Sequence, residues 1–397
     1  MNNMEPEKQK SDDGLDWNLL LDDCVDFTRE LIQTPSMSYE ERNIATLIAA
    51  ELKRLAFDEV TIDEIGNVIG RIYGQDRQLP ALVLNTHLDH VDPGDPDLWP
   101  TPPYAAAIVD GRIIGRGACD IKGPLAVQVY AMAGLRRSGQ LPRRDVVFTG
   151  VVQEEIGGAG AQYWVENLDY PAALVVLGEP SNNNLALGHR GIVQMWVTFH
   201  GRSAHASAPH KGVNPNYALA AFLQKLRAAV SELAEHPILG PTTVVPTIIE
   251  VDTKSSNVIP AWSRVLLDVR TAGESEQSLL TFIDHLAGEQ PYTVTDAWCS
   301  EPTPLTPDEE TIFGYDTPAD SEVVQRAQQL LAEGMGRRPD LISYQFATDG
   351  RHFVPYGMPI VGFAPGEEFQ AHTAGESIAI DDIEKALHGY VQLLRDF

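Results

Sequence analysis

Four short polar islands in this 397-residue chain each follow an apolar run, and each carries a carboxylate or an imidazole. The first is Asn85-Thr86-His87-Leu88-Asp89-His90-Val91. In extended backbone His87 and Asp89 point the same way, because side chains alternate along a strand. A carboxylate beside a histidine can hold the ring in the tautomer a metal requires, although such a pair is often just a hydrogen bond at a strand end. The second island, Gly115 to Gly123, crowds glycines around Asp120, so the backbone can bend sharply and aim one carboxylate inward. The competing reading makes Asp120 the N-cap of the next helix. The third, Gln153-Glu154-Glu155-Ile156-Gly157-Gly158, sets two carboxylates side by side, which repel unless a cation or open water relieves them. The fourth is Gly178-Glu179-Pro180-Ser181, with proline locking the following turn. A fifth, later element, Ala371-His372-Thr373-Ala374-Gly375-Glu376, supplies a second imidazole. Singly each is ordinary. Together they form a hard-to-borderline donor set suited to Zn2+, and also to Co2+ or Mn2+.

The elements that must position these islands alternate. Helical spacing runs from Trp17 to Leu31, and Ser38 with Glu41 reads as a capping box for a helix reaching Leu55. Val60 to Ile62, Asn67 to Tyr73, Ala81 to Asn85, Asp145 to Val152 and Ala173 to Leu177 read as strands, with a helix from Ile121 to Leu135. This predicts an α/β domain with a mixed, mostly covered central sheet, whose active-site loops follow the strand ends. The texture changes near Gly188. Strands at Ile192 to His200, Thr243 to Val251, Val265 to Val269 and Tyr292 to Trp298, with helices at Asn216 to Leu233 and Glu276 to Leu286, give the β-α-β-β-α-β order of a ferredoxin-like α+β domain. A Pro- and acid-rich stretch, Glu301 to Glu310, leads to a helix from Ser321 to Glu333 and a strand from Ile360 to Phe363, where the first domain resumes. The expected division is a disordered acidic tail over 1–16, a catalytic domain over 17–188 and 302–397, and an inserted domain over 189–301.

Composition narrows the partners. A net charge of −27 argues against nucleic acid or an anionic membrane, which both attract cationic surface. Cys24, Cys119 and Cys299 form no CxxC pair, which fits a reducing cytoplasm and excludes a thiolate zinc finger. No apolar run approaches membrane-spanning length, and the first sixteen residues lack the apolar core of a secretion signal.

With its five islands in order, the chain resembles the M20 metallohydrolases, among them acetylornithine deacetylase, succinyl-diaminopimelate desuccinylase, aminoacylase and glutamate carboxypeptidase. The resemblance implies a two-metal centre, with zinc first and cobalt or manganese as alternatives. His87 and Glu179 would bind one ion and His372 the other, Glu155 would be a ligand of one of the two, and Asp120 would bridge them from a turn that can hold a cis peptide. Asp89 would orient His87. Glu154 would be the general base, taking a proton from a water that two cations acidify and passing it to the leaving amine. The inserted domain would be a lid and dimerisation domain. Its Gly201-Arg202-Ser203-Ala204-His205-Ala206-Ser207 run resembles the motif whose histidine, here His205, stabilises the oxyanion. Asn257 resembles a substrate-contacting asparagine. Arg270 would bind a substrate carboxylate or pair on the surface, and Arg351, in Thr348-Asp349-Gly350-Arg351, would grip a carboxylate or form a structural salt bridge. The His372 motif departs from many relatives in its middle positions. His90, His189, His210 and His352 are set aside, since a lone histidine is more often structural than a ligand.

The implied substrate is a small N-acyl amino acid, acetylated or succinylated. A dipeptidase or carboxypeptidase, acting on a dipeptide, is the alternative within the same chemistry, and a non-catalytic metal-bound relative the alternative outside it. The resemblance also implies a homodimer formed through the inserted domain.

Overall fold

A computed structural model describes residues 14–233, 235–297, 303–304 and 314–397. They form two compact units. The first takes in the chain up to Gly188, Thr317–Ser343 and Thr348–Phe397; the second takes in His189–Asp316 and Tyr344–Ala347. In this division the second unit is counted to Asp316. Within the second unit the His189 ring stands edge-on to Tyr315 at 4.9 Å, and His236 lies 3.2 Å from Asp316.

In the first unit the main sheet carries strands in the order Glu59–Ile62, Val68–Ile72, Val146–Val151, Ala81–His87, Ala172–Leu177, Ile360–Gly362 and Leu185–His189. Ala81–His87 runs parallel to both of its neighbours and Ile360–Gly362 runs parallel to Ala172–Leu177, while Val68–Ile72 pairs antiparallel with Val146–Val151 and Ile360–Gly362 antiparallel with Leu185–His189, so the sheet is mixed. Every residue of Ala81–His87 and Val146–Val151 is buried, which explains their unbroken apolar runs: both faces are covered, and alternation disappears. The helix Gly123–Ser138 is buried from Gly123 through Leu135 and packs between Trp17–Ile32 and Ile380–Asp396. A helix apolar all round is stable only with neighbours on every side.

The parallel register sets the site. His87 pairs with Val151, and Asn85 with Leu177, so three strand tips are level at one edge of the sheet. The chain leaves that edge through the segments bearing His87, Glu154 and Glu179. A separate three-stranded sheet of Ala107–Val109, Arg112–Ile114 and Ser377–Ala379, absent from the sequence expectation, joins the chain just after Glu376 to the chain just before Asp120.

Several expected boundaries move. Ser38 and Glu41 form no capping box: the helix is Arg42–Arg54, its N-cap Glu41 makes no side-chain capping bond, and the Ser38 hydroxyl donates instead to Asp89 at 2.7 Å. A buried carboxylate competes better for that donor than a helix end open to water. The helix expected from Ile121 begins at Gly123 and is capped by Lys122, not Asp120. Asp120 lies in a tight turn with φ −127° and ψ 80° and is joined to Ile121 by a cis peptide. Of the expected acidic tail, residues 1–13 lie outside the described residues, while Asp16 caps the helix Trp17–Ile32 by accepting from the Leu19 N–H. Trp298 and most of Glu301 to Glu310 also lie outside the described residues.

In the second unit the strands Thr243–Val251, Trp262–Thr271, Gly191–His200 and Tyr292–Asp296 form an antiparallel sheet in that order. Numbered along the chain this is 2-3-1-4. Trp262–Thr271 alternates between buried and half-buried residues, and Gly191–His200 does so up to its exposed last residue, His200. Val193, Met195, Val197 and Phe199 thus meet Phe222 and Leu226 of the helix Pro215–Ala229, and Leu279 and Ile283 of the helix Glu276–Ala287. Phe222 is 1% exposed, its ring tilted against that of Phe199 with centroids 5.4 Å apart. Phe222→Ala removes the ring that fills this layer and should cost roughly 3–5 kcal/mol, read as an earlier unfolding transition in denaturant.

Candidate metal centre

His87 stands at the tip of a fully buried strand and is itself 2% exposed. Its Nδ1 lies 3.0 Å from the Asp89 carbonyl and 3.4 Å from Asp89 Oδ1. Donation from Nδ1–H to that carbonyl fixes the tautomer and turns the Nε2 lone pair outward. Nε2 meets Asp120 Oδ1 at 3.1 Å and Glu179 Oε1 at 3.8 Å. The other Asp120 oxygen lies 3.2 Å from His372 Nε2, which is also 3.2 Å from both oxygens of Glu155. Asp120 therefore faces two imidazoles, one through each oxygen. On one side stand His87 and Glu179; on the other stand His372 and Glu155.

The electrostatics describe a cleft short of positive charge. Burial lifts the Glu154 carboxyl well above its ordinary pKa, with the charge of Asp349 adding to this, and burial does the same for Glu179. Burial works against charge on His87, yet Asp120 and Asp89 outweigh it and raise its pKa. Asp120 and Glu155 push His372 up to about 10. Protons are held tightly on the imidazoles because they answer the surrounding carboxylates. A divalent cation answers the same charge more fully.

Two buried carboxylates brace the cluster. Asp89 is 0% exposed and accepts from the Glu154 N–H at 3.1 Å, the Glu155 N–H at 3.2 Å and the Ser38 hydroxyl. It thereby ties the His87 strand to the turn carrying both glutamates. Glu376, also fully buried, accepts from the N–H groups of Gly117, Cys119 and Asp120 at 3.1, 2.9 and 3.0 Å, and from Arg116 at 2.7 Å. It ties the chain segment of His372 to the turn of Asp120.

Arg351 belongs to the same unit and is half-buried, its Nε 3.2 Å from His352 Nε2. The remaining expected residues lie in the second unit. His205 is exposed, with Nδ1 2.7 Å from the Ser207 hydroxyl, on a short strand paired through Val258. The exposed Asn257 uses its carbonyl to accept from the Ala206 N–H. Arg270 is paired with Asp268 at 2.8 Å. Two side chains that sequence reasoning passed over stand beside the cluster. Asp349 is 2% exposed, and neither of its oxygens finds a hydrogen-bond partner among the described residues. Burial drives its pKa up to about 7 against the pull of Arg351. His352, set aside as a lone histidine, lies 3.1 Å from the Gly157 carbonyl. Their only sequence signal is adjacency to Arg351.

The donor set fits a divalent metal. Donors bound about 2.0–2.1 Å from one zinc at a tetrahedral angle stand about 3.3 Å apart, close to the 3.1 and 3.2 Å separations here. His87, Asp120 and Glu155 each bring a donor atom within 4.8 Å of the others. The family described as peptidase family M20/M25/M40 matches residues 83–396. The chain belongs to that family. It is accordingly a metal-binding hydrolase of amide or peptide bonds. Succinyl-diaminopimelate desuccinylase 2 of a Ruegeria species is 28% identical over 396 residues, covering 94% of this chain and 95% of that protein. The aminopeptidase PepT of Bacillus cereus has a similar fold, with TM-score 0.74 at 21% identity over 94% of this chain and 98% of that one. So does YXEP of Bacillus subtilis, described as a dinuclear metal binding peptidase from the M20 family, with TM-score 0.68 at 15% identity over 95% of this chain and 98% of that one. Among the described residues of this M20 chain, no helix is long and apolar enough to cross a membrane.

Glu376→Gln would leave Arg116, itself 2% exposed, without its counter-charge. Breaking one side of a buried pair costs about 3–5 kcal/mol. The variant should unfold earlier in denaturant and bind metal more weakly, because the amide keeps one accepting oxygen and turns an NH2 toward donors that the second oxygen had accepted from.

Proposed function

We propose that this M20 chain removes the acyl group, acetyl or succinyl, from an N-acyl amino acid at a centre of two divalent cations, zinc first and cobalt or manganese otherwise. One observation carries the reading: Asp120 faces His87 through one oxygen and His372 through the other, with Glu179 and Glu155 on opposite sides. Six carboxylates, those of Asp89, Asp120, Glu154, Glu155, Glu179 and Asp349, surround two imidazoles, and this charge balance calls for more than one divalent ion. Bound cations would polarise the amide carbonyl and acidify a water.

The chain's own groups do the rest. His87, Asp120 and Glu179 would hold one cation, and Asp120, Glu155 and His372 the other. Asp89 keeps His87 in the ligating tautomer. Glu154 is not needed as a ligand, and its raised pKa suits a group that must take a proton and give it up again to the leaving amine. His205 is assigned to the oxyanion, and Asn257, Arg270 and Arg351 to the substrate. The similarity to a desuccinylase favours a deacylase, and a free carboxylate on the substrate would suit Arg351. We also assign a homodimer, its contact along Thr243–Val251, where Val245, Ile248, Ile249 and Val251 leave 41–58% of their surface exposed on an edge strand. The cytoplasm is the assigned compartment.

Amine release should be measured from N-acetyl and N-succinyl amino acids and dipeptides, using zinc- or cobalt-loaded protein. Release should stop on chelation and fall about 10^2–10^4-fold in Glu154→Gln with metal retained; a near-normal rate in that variant removes the base assignment. Preference for dipeptides over acylated amino acids would make the chain a peptidase instead. His372→Ala should hold less metal at saturation, and full occupancy would mean that another residue completes the site. His205→Ala should lower kcat about 10^2–10^3-fold without changing the unfolding transition.

A further inference from the structure

The turn bearing Glu154 and Glu155 is an unfavourable piece of backbone. Gln153 has φ 62°, Gly157 has φ 133° and Gly158 has φ 76°, so three residues of Gln153–Gly158 sit in the left-handed region. Its front is held by known partners: Asp89 accepts from the Glu154 and Glu155 N–H groups, and Glu41 accepts from the Gln153 N–H at 3.1 Å. Its rear rests on one helical turn, Gly350–Phe353, and on Asp349 just before it. His352 Nε2 lies 3.1 Å from the Gly157 carbonyl and 3.9 Å from Asp349 Oδ1. Gly158 lies so close that a Cβ there would come within 2.3 Å of His352 Nε2 and 2.4 Å of Asp349 Oδ1. That segment is in turn anchored on the helix Ala159–Glu166, which continues from the turn, by an edge-on contact of Phe353 with Trp164 at 5.5 Å.

We propose that Asp349 and His352 are positioning residues: they form the seat beneath Gly157–Gly158 that holds Glu154 and Glu155 in place against the ligand cluster. Asp89 fixes the front of the turn, but two N–H contacts on adjacent residues leave a hinge about which it can tilt. Contact at the rear removes that freedom. A neutral imidazole carries one N–H, so its Nε2 either donates to Gly157 or accepts from Arg351, not both. Donation to Gly157 serves the seat and leaves the Arg351 guanidinium free. Glycine at 158 is required twice over, by its positive φ and by the seat pressed against it.

This inference rests on the hydrolase reading for its kinetic consequence but not for its structural one. Asp349→Asn, His352→Gln and Gly158→Ala should be prepared with wild type as reference, and their folding checked by circular dichroism. Cobalt titrated into the metal-free proteins should bind about 10–100-fold more weakly at one of the two sites in each variant, the scale of losing an outer support of a metal ligand. On whichever amide substrate the wild type hydrolyses, kcat should fall by a similar factor while KM stays within about 2-fold, as expected when a group serves only the transition state. Wild-type cobalt affinity and kcat in both Asp349→Asn and His352→Gln would overturn the seat. A raised KM with normal kcat would overturn it too, making Asp349 a substrate-binding group. Should Gly158→Ala not fold, the other two variants decide. A wild type that hydrolyses nothing would sink the proposed function, while the cobalt isotherms would still judge the seat.

Discussion

The carboxylate of Asp120 lies between two imidazoles, and the rest of the first unit can be understood as the means of keeping it there. Around it stand more acidic groups than a buried cleft tolerates. Burial drives three of them, Glu154, Glu179 and Asp349, toward protonation, and their raised pKa values register that pressure. A fold does not assemble such a cluster for stability, since apolar residues of the same size would pack there at less cost. What makes the arrangement sustainable is positive charge held at its centre, and among the described residues His87 and His372 are the groups that face Asp120 to supply it.

Holding the cluster falls to groups one layer further out. Asp89 and Glu376 are both fully buried carboxylates, and both spend their acceptors mainly on backbone N–H groups next to ligand-bearing residues. This is a different use of charge from that at the centre. The donors to Asp89 come from Ser38 and from Glu154 and Glu155, and those to Glu376 from residues 116–120, so each carboxylate fixes a distance between segments far apart in sequence that no single strand or helix determines. The parallel strands bring three tips level; these two carboxylates then join the tips to the turn of Asp120 and the loop of His372.

Much of this can be read in the sequence, and what cannot has a physical reason. Apolar runs such as Ala81 to Asn85 and Ala173 to Leu177 announce buried strands, because both of their faces are covered. Polar islands after such runs mark strand tips, since the chain must surface there. The alternation from Ile192 to His200 announces a sheet with one face buried. Local signals fail where a distant partner overrides them. Ser38 has the spacing of a capping residue, yet its hydroxyl goes to Asp89, fifty-one positions away. Asp120 has the look of a helix cap, but three N–H groups and an arginine gathered by Glu376 hold its turn out of the helix. The small sheet that joins 112–114 to 377–379 leaves no local trace, because its strands are only three residues long. Asp349 and His352 are invisible for a related reason: their significance lies in what they touch, near Gly157 and Gly158, and not in their own neighbours along the chain.

The two sides of Asp120 are not equivalent. His87 and Glu179 come from strand tips, with side chains 1% and 7% exposed, whereas the His372 side chain is 52% exposed and its backbone has a φ of 62°. A β-region histidine on a buried strand needs nothing beyond the sheet to stay in place. A half-exposed histidine in a sparsely populated conformation persists only while its surroundings favour it, and the partners of its Nε2 are Asp120 and Glu155. Glu155 in turn depends on a turn that Asp89 grips in front and Asp349 and His352 adjoin behind. One half of the centre is therefore built into the sheet, and the other is a chain of mutual dependence among loops. Chemistry that must admit a substrate and release two products is better served by that division than by two equally rigid halves, because the loops can yield while the sheet keeps Asp120 and His87 in register.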